Sequence, residues 1–164
     1  MMITDVMSTR VTWNTRAKAG IIILVVLPNI LGMINIPVAE GFKLHVFQVA
    51  IFLAAALYGP AGGLMSGFAG SFYAAFITGN PYLVLGNALL GFCTGLFLRK
   101  GLHILLSVWL AFLIQLPWLI LTDYYLVGMD ARVIGSLVIA LFLSNTVWAL
   151  AAWMFREPAK RYIS

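Results

Sequence analysis

Charge is scarce in this chain. Of 164 residues, 9% are Asp, Glu, Lys or Arg and 63% are hydrophobic. A soluble domain carries roughly a quarter charged residues and about half apolar ones. One water-soluble core has no room for so much apolar surface, so a soluble globular fold is excluded. Cysteine is nearly absent too. The single Cys93 lies in an apolar run without a partner, which excludes a disulfide framework and leaves it a small packing residue. There is no Gly-rich phosphate loop ending in Lys-Ser/Thr and no His-Glu-x-x-His, so the chain is not expected to be an enzyme. No Asp or Glu lies in the middle of an apolar run. Proton-coupled carriers keep an ionisable residue there, so that class is disfavoured. Asp123, the nearest candidate, ends a run beside Tyr124 and Tyr125 and reads as interfacial. His45 and His103 fall at opposite membrane faces and cannot share a metal; no metal or other cofactor is expected. Nor is a cleavable signal peptide, because the first apolar run starts at Ala19 and no small-x-small pattern follows it.

What the chain does have is six apolar runs. Helix 1 is expected from Ala19 to Ile36, around Pro28-Asn29, and is followed by a loop from Pro37 to Lys43. Helix 2 runs from Leu44 to Tyr58, short for a span, and Gly59-Pro60 makes a tight reversal into helix 3, which ends at Thr78. Gly79-Asn80-Pro81 is a turn, and helix 4 runs from Tyr82 to Leu98. Arg99-Lys100-Gly101 breaks the chain before helix 5, from Leu102 to Tyr125 and interrupted by Pro117. Helix 6 runs from Val133 to Phe155, where Arg156-Glu157-Pro158 ends it. The expected fold is an all-α integral membrane protein: one six-helix domain over residues 1–164, with 1–18 a polar cytoplasmic segment.

The net charge of +5 reports topology. Arg10, Arg16, Lys18, Arg99, Lys100, Arg156, Lys160 and Arg161 gather on one side, and Lys43 and Arg132 lie on the other. Positive charge stays inside, so both termini are expected in the cytoplasm and the chain in the cell membrane.

Helix 3 is expected at the packing centre. Gly59, Gly63, Gly67, Ser71 and Ala75 recur at helical spacing and make a flat stripe, beside a second row of Gly62, Ser66 and Gly70. In lipid such a stripe lets another backbone approach closely.

The informative polar residues are neutral. Asn29, Gln48, Asn87, Gln115 and Asn145 lie within the spans, and each needs a partner there. Counting about 1.5 Å per residue places four of the five in the outer half of the membrane, with Asn145 deeper. Tyr73, Tyr82 and Trp118 join them; Gln115, Trp118 and Thr122 share one face of helix 5, and Asn145, Trp148 and Ala152 one face of helix 6. Any one amide is accounted for by bonding between helices, at about 0.6 kcal/mol per bond. The set is better explained by an uncharged, aromatic-walled pocket open to the outside, suited to a small, flat, polar organic molecule. Its expected residues are Gln48, Tyr82, Asn87, Gln115, Trp118 and Asn145, capped by the loop from Pro37 to Lys43, with Lys43 and Arg132 at the mouth.

Leu57-Tyr58-Gly59-Pro60 with Gly63, Gly67 and Gly70, followed by Gly86-Asn87-Ala88-Leu89-Leu90-Gly91-Phe92 and Gly95-Leu96, resembles the substrate-binding (S) components of energy-coupling factor transporters. The resemblance implies capture of a vitamin or related micronutrient at the outer face. It also implies partners: a transmembrane scaffold subunit and two cytoplasmic ATPases, which hydrolyse ATP in place of this chain. Gly59, Gly63, Gly67 and Ser71 would then dock the scaffold. The N-terminal Met-His-Ile metal site of nickel and cobalt members is absent from Met1-Met2-Ile3, so the resemblance points to an organic substrate. The alternative is a structural or assembly subunit of a membrane complex, with its amides serving only as links between helices.

Overall fold

The structure is a computed structural model that describes residues 13–39 and 42–164, with the backbone alone for most of 35–44. Its surface and interior exchange the roles they have in water. Phe76 is 84% exposed and Met154 69%, whereas Gln48 and Asn145 are 1% exposed. Apolar side chains facing out and amides facing in is the arrangement of a chain solvated by lipid. Four helices are long and apolar enough to cross a membrane: 48–78, 82–99, 104–126 and 131–163.

Helix α1 spans Thr15–Leu31, four residues earlier at its start than Ala19 and ending well before Ile36. Asn14 sets the start, because its side chain accepts the Ala17 N–H at 2.8 Å. The segment expected to finish helix 1 and form a loop is instead a β-hairpin, β1 Asn35–Ala39 and β2 Phe42–His45. The strands are antiparallel, with Asn35 opposite His45 and Pro37 opposite Lys43. Glu40 and Gly41 at its tip, and all of 1–12, lie outside the described residues.

Helix α2 spans Gln48–Ala69, but Gly59 within it has φ 71° and ψ −155°. Only glycine takes that conformation cheaply. The chain folds back there. A Cβ on Gly62 would stand 2.7 Å from the Ala54 carbonyl oxygen, and one on Gly63 3.0 Å from the Ala55 Cβ. In a straight helix residues eight apart are about 12 Å apart. The limbs 48–58 and 60–69 therefore lie side by side, as Gly59-Pro60 foretells. Helix α3, Phe72–Thr78, continues the second limb after a break at Gly70-Ser71 that the sequence does not signal. Gly79 then ends it in the left-handed region, at φ 67°.

Helix α4, Tyr82–Arg99, lies in the groove between the two limbs. A Cβ on Gly91 would clash with the Gly63 carbonyl and stand 2.9 Å from Ile51 Cγ2, touching both limbs at once. Gly95 meets Gly59 and Pro60, and Gly67 meets the backbone of Asn87 and Ala88. These contacts run antiparallel over about two turns, backbone against backbone. Glycine is needed on both sides, which is how the small-residue row comes to sit at the packing centre.

Helix α5, Ile104–Ile120, is not broken by Pro117. It passes through the proline and widens one turn later into a π-helical turn, Leu121–Leu126, where the Val127 N–H donates to the Thr122 carbonyl five residues back at 2.9 Å. Helix α6, Ala131–Ile163, continues through Pro158, well past the expected end at Phe155. Its end returns to the start of α1: Asn14 Nδ2 donates to the carbonyls of Ile163 at 3.1 Å and Ser164 at 3.2 Å.

Two apolar clusters hold the helices. Phe52, Leu90, Cys93, Val108, Phe112 and Ala149 join α2, α4, α5 and α6. Ala17, Ile21, Leu24, Ala54, Tyr58 and Ile163 join α1, α2 and the end of α6. Polar bonds supplement the second cluster: Tyr58 donates to the Ala17 carbonyl at 2.8 Å and Ser66 to the Leu24 carbonyl at 2.5 Å.

Candidate functional site

The end of the bundle that carries the β-hairpin and the Gly79-Asn80-Pro81 turn also carries most of the buried amides. They form two groups.

The first group lies between α4 and α5. Asn80 is 1% exposed and organises it. Its Oδ1 accepts the Tyr82 N–H at 3.1 Å, which fixes the first turn of α4. Its Nδ2 donates to Asp123 Oδ1 at 2.6 Å, which ties that turn to the end of α5. Trp118 Nε1 donates to the Tyr82 carbonyl at 3.2 Å and closes the circuit. Gln115 is on the same face of α5 as Trp118. A Cβ on Gly86 would be 3.3 Å from both Gln115 Nε2 and Trp118 Cδ1, so a glycine there lets the amide and the indole come against α4. Gln115 is 6% exposed and Asn87 5%, and neither side chain has a hydrogen bond to a described residue. Tyr82, Gln115 and Trp118 are thus brought together, with Asn87 one residue beyond their meeting point.

The second group lies between α2 and α6. The Ser144 hydroxyl donates to Gln48 Oε1 at 2.7 Å and accepts the His45 N–H at 3.0 Å. Gln48 is therefore linked through Ser144 to the last residue of the hairpin. Asn145 follows Ser144 and is 1% exposed, yet neither its Oδ1 nor its Nδ2 has a partner among the described residues. Trp148 Nε1, three residues on and over the same face, is also buried without a partner among the described residues. Leaving a buried amide unpaired costs about 1–3 kcal/mol, so groups of this kind are rare without a reason.

Three expectations change. Asp123, read as interfacial, is buried: it is 1% exposed, and its Oδ2 has no partner among the described residues. It lies four residues on from buried Leu119, on the face that also holds buried Gln115 and Thr122, so the signal available in the sequence was that spacing together with Asn80, the turn amide that bonds it. Asn29 belongs to neither group: its Nδ2 donates to the Ala69 carbonyl at 2.8 Å and its Oδ1 accepts the Tyr73 N–H at 2.9 Å, bracing the break before α3. The row Gly59, Gly63 and Gly67 is closed by α4, and Ser71 donates to the Gly67 carbonyl at 2.6 Å. That row is filled from within the chain.

Arg132 is exposed, and its N–H is bonded to Asp130 Oδ1 at 2.7 Å at the start of α6. The Lys43 side chain lies outside the described residues. A shallow groove on α5, lined by Leu113, Leu116, Pro117, Ile120, Leu121 and Tyr125, contains none of the expected ligand residues. Among the described residues, no three of His, Cys, Asp and Glu converge.

A family model described as "ECF-type riboflavin transporter, S component" matches residues 12–155. No curated protein and no solved structure matches the chain.

Proposed function

We infer, because this chain belongs to the ECF-type riboflavin transporter S-component family, that the molecule it captures is riboflavin or a close flavin. As an S component it is a membrane-embedded, substrate-binding subunit of a vitamin transporter rather than an enzyme.

The ligand site is the polar end of the bundle. The observation that carries this placement is Asn145, an amide 1% exposed with both polar atoms unbonded among the described residues. A ligand with donors and acceptors on one flat ring system satisfies such groups together. Gln115 and Asn87 supply further amide contacts, Tyr82 and Trp118 supply aromatic faces, and Gln48 reaches the ligand through its free valences while Ser144 holds its oxygen. The β-hairpin covers this end. Its bond from His45 to Ser144 makes cover and site one unit.

Counting the two limbs around Gly59 separately gives six passages in one domain, with Asn14 and Ser164 at the same end. The positive residues at that end support cytoplasmic termini and a place in the plasma membrane. Uptake is driven by a transmembrane scaffold and two ATPase subunits, which meet the chain elsewhere than the glycine row that α4 covers.

The test is a titration. Detergent-solubilised protein quenches riboflavin fluorescence, and native mass spectrometry finds the flavin bound one to one. A chain that stays empty against riboflavin and a panel of other vitamins overturns the reading.

A further inference from the structure

We propose that Asp123 is the group that distinguishes ligands at this site, by accepting a hydrogen bond from a ring imide N–H through Oδ2. This rests on the flavin reading above and adds to it a residue and the ligand atom it reads.

The two carboxylate oxygens differ. Oδ1 accepts from Asn80 Nδ2 at 2.6 Å, whereas Oδ2 is buried and bonded to nothing among the described residues. The neighbouring Thr122 hydroxyl lies close to the carboxylate, but its hydrogen is directed at the carbonyls of Trp118 at 2.9 Å and Leu119 at 3.3 Å and not at Oδ2. An unpaired carboxylate oxygen is among the costliest groups to hide from water, costlier than an amide. The fold nonetheless buries it, on the face that also holds buried Leu119 and Thr122 at the start of the π-helical turn, with Asn80 bonded to its other oxygen. π-Helical turns of this kind concentrate at functional sites.

The position fits recognition. Asn80 also accepts the backbone N–H of Tyr82, and Trp118 donates to the Tyr82 backbone carbonyl, so Asp123 shares one hydrogen-bonded circuit with the two aromatic residues of the site. A flat ring against those aromatics presents its edge, not its face, to a carboxylate at their margin. The edge of a flavin ring carries a single N–H, flanked by two carbonyls. Ionised, Oδ2 can only accept, and the imide N–H is the donor that holds it in that form; it is then selective for that donor and against a ring whose edge carries only acceptors or an alkyl group.

The experiment compares riboflavin with its N3-methyl derivative on wild type and on Asp123→Asn. Asparagine keeps the size of the side chain and, with its oxygen on Asn80, puts an NH2 where the free oxygen was. Wild type is expected to bind riboflavin roughly 10- to 100-fold more tightly than the N3-methyl compound, the range for a hydrogen bond to a charged group. Asp123→Asn is expected to lose most of its riboflavin affinity, so that the two compounds bind about equally. Elution as a single species and an unfolding temperature near wild type show that the variant folds; the analogue comparison on wild type needs no variant. Equal binding of both compounds to wild type, or a preference that survives in Asp123→Asn, overturns the assignment while leaving the flavin reading in place. Absence of riboflavin binding by wild type overturns both.

Discussion

Asn14 and Ile163 close the chain on itself. The Asn14 amide donates to the Ile163 carbonyl at 3.1 Å while its oxygen caps α1 through the Ala17 N–H at 2.8 Å. The two functions are separable. Asn14→Ala removes both and is expected to destabilise by about 1–2 kcal/mol, the upper part of the range for losing an N-cap. Asn14→Asp keeps the cap acceptor and removes only the donor, so it is expected to recover most of that loss. Thermal unfolding in detergent of the two variants checks the order.

Glycine substitutions test the packing of α2 on α4. Gly63→Ala and Gly91→Ala each push a methyl into the facing backbone and are expected to cost about 1–3 kcal/mol or more. Gly135→Ala is the contrast. It lies in α6 with nothing within 4 Å of its Cβ, and replacing a helical glycine with alanine is expected to stabilise by about 0.5–1 kcal/mol. Equal effects at the three positions would remove the case for backbone-to-backbone packing.

The Gln48–Ser144–His45 relay couples the hairpin to the helices. Ser144→Ala leaves the His45 N–H and Gln48 Oε1 without that partner. Stability is expected to fall by about 0.6–1.7 kcal/mol, from the average to the largest value for bonds between membrane helices. The local signature is sharper: hydrogen exchange at residues 42–46 is expected to quicken, with α4 unchanged.

Asn145→Leu is expected to act with opposite signs on folding and binding. It removes two unpaired buried polar atoms, so the ligand-free chain is expected to be as stable as wild type or more so. Riboflavin affinity is expected to fall at least tenfold, by about 1.4 kcal/mol or more. An unchanged affinity in a fluorescence titration would take Asn145 out of the site.

Much of this was legible in the sequence, and the parts that were not have local causes. Gly59-Pro60 announced the reversal because a glycine before a proline has few helical options, and Gly59 takes the left-handed φ that only glycine holds cheaply. Gly79-Asn80-Pro81 marked the next turn for a similar reason. The amides stood out because hydrocarbon makes each of them conspicuous. The β-hairpin was hidden because Met33-Ile34-Asn35-Ile36 continues the apolar run of α1 without a break, and a short apolar run does not choose between strand and helix. Helix α6 ran past Pro158 because a proline near a helix end frees few carbonyls from bonding. Asp123 was read as interfacial because it ends the apolar run beside Tyr124 and Tyr125, and nothing in its own run shows that the distant Asn80 comes to bond it. The glycine row was read as a surface for a partner. A pattern of small residues shows that some backbone comes close, but not which one, and here it is the chain's own α4.

The limb 48–58 has a consequence for how the protein enters the bilayer. At about 1.5 Å per residue it is about 16 Å long, roughly half the hydrocarbon thickness. A translocon that sorts segments by length and hydropathy would not release it as a span by itself. It is expected to enter as half of a hairpin with 60–78. The groove between the limbs would then stay open until α4 emerges to fill it, and an arrest before Arg99 would leave a row of bare glycine backbone facing lipid.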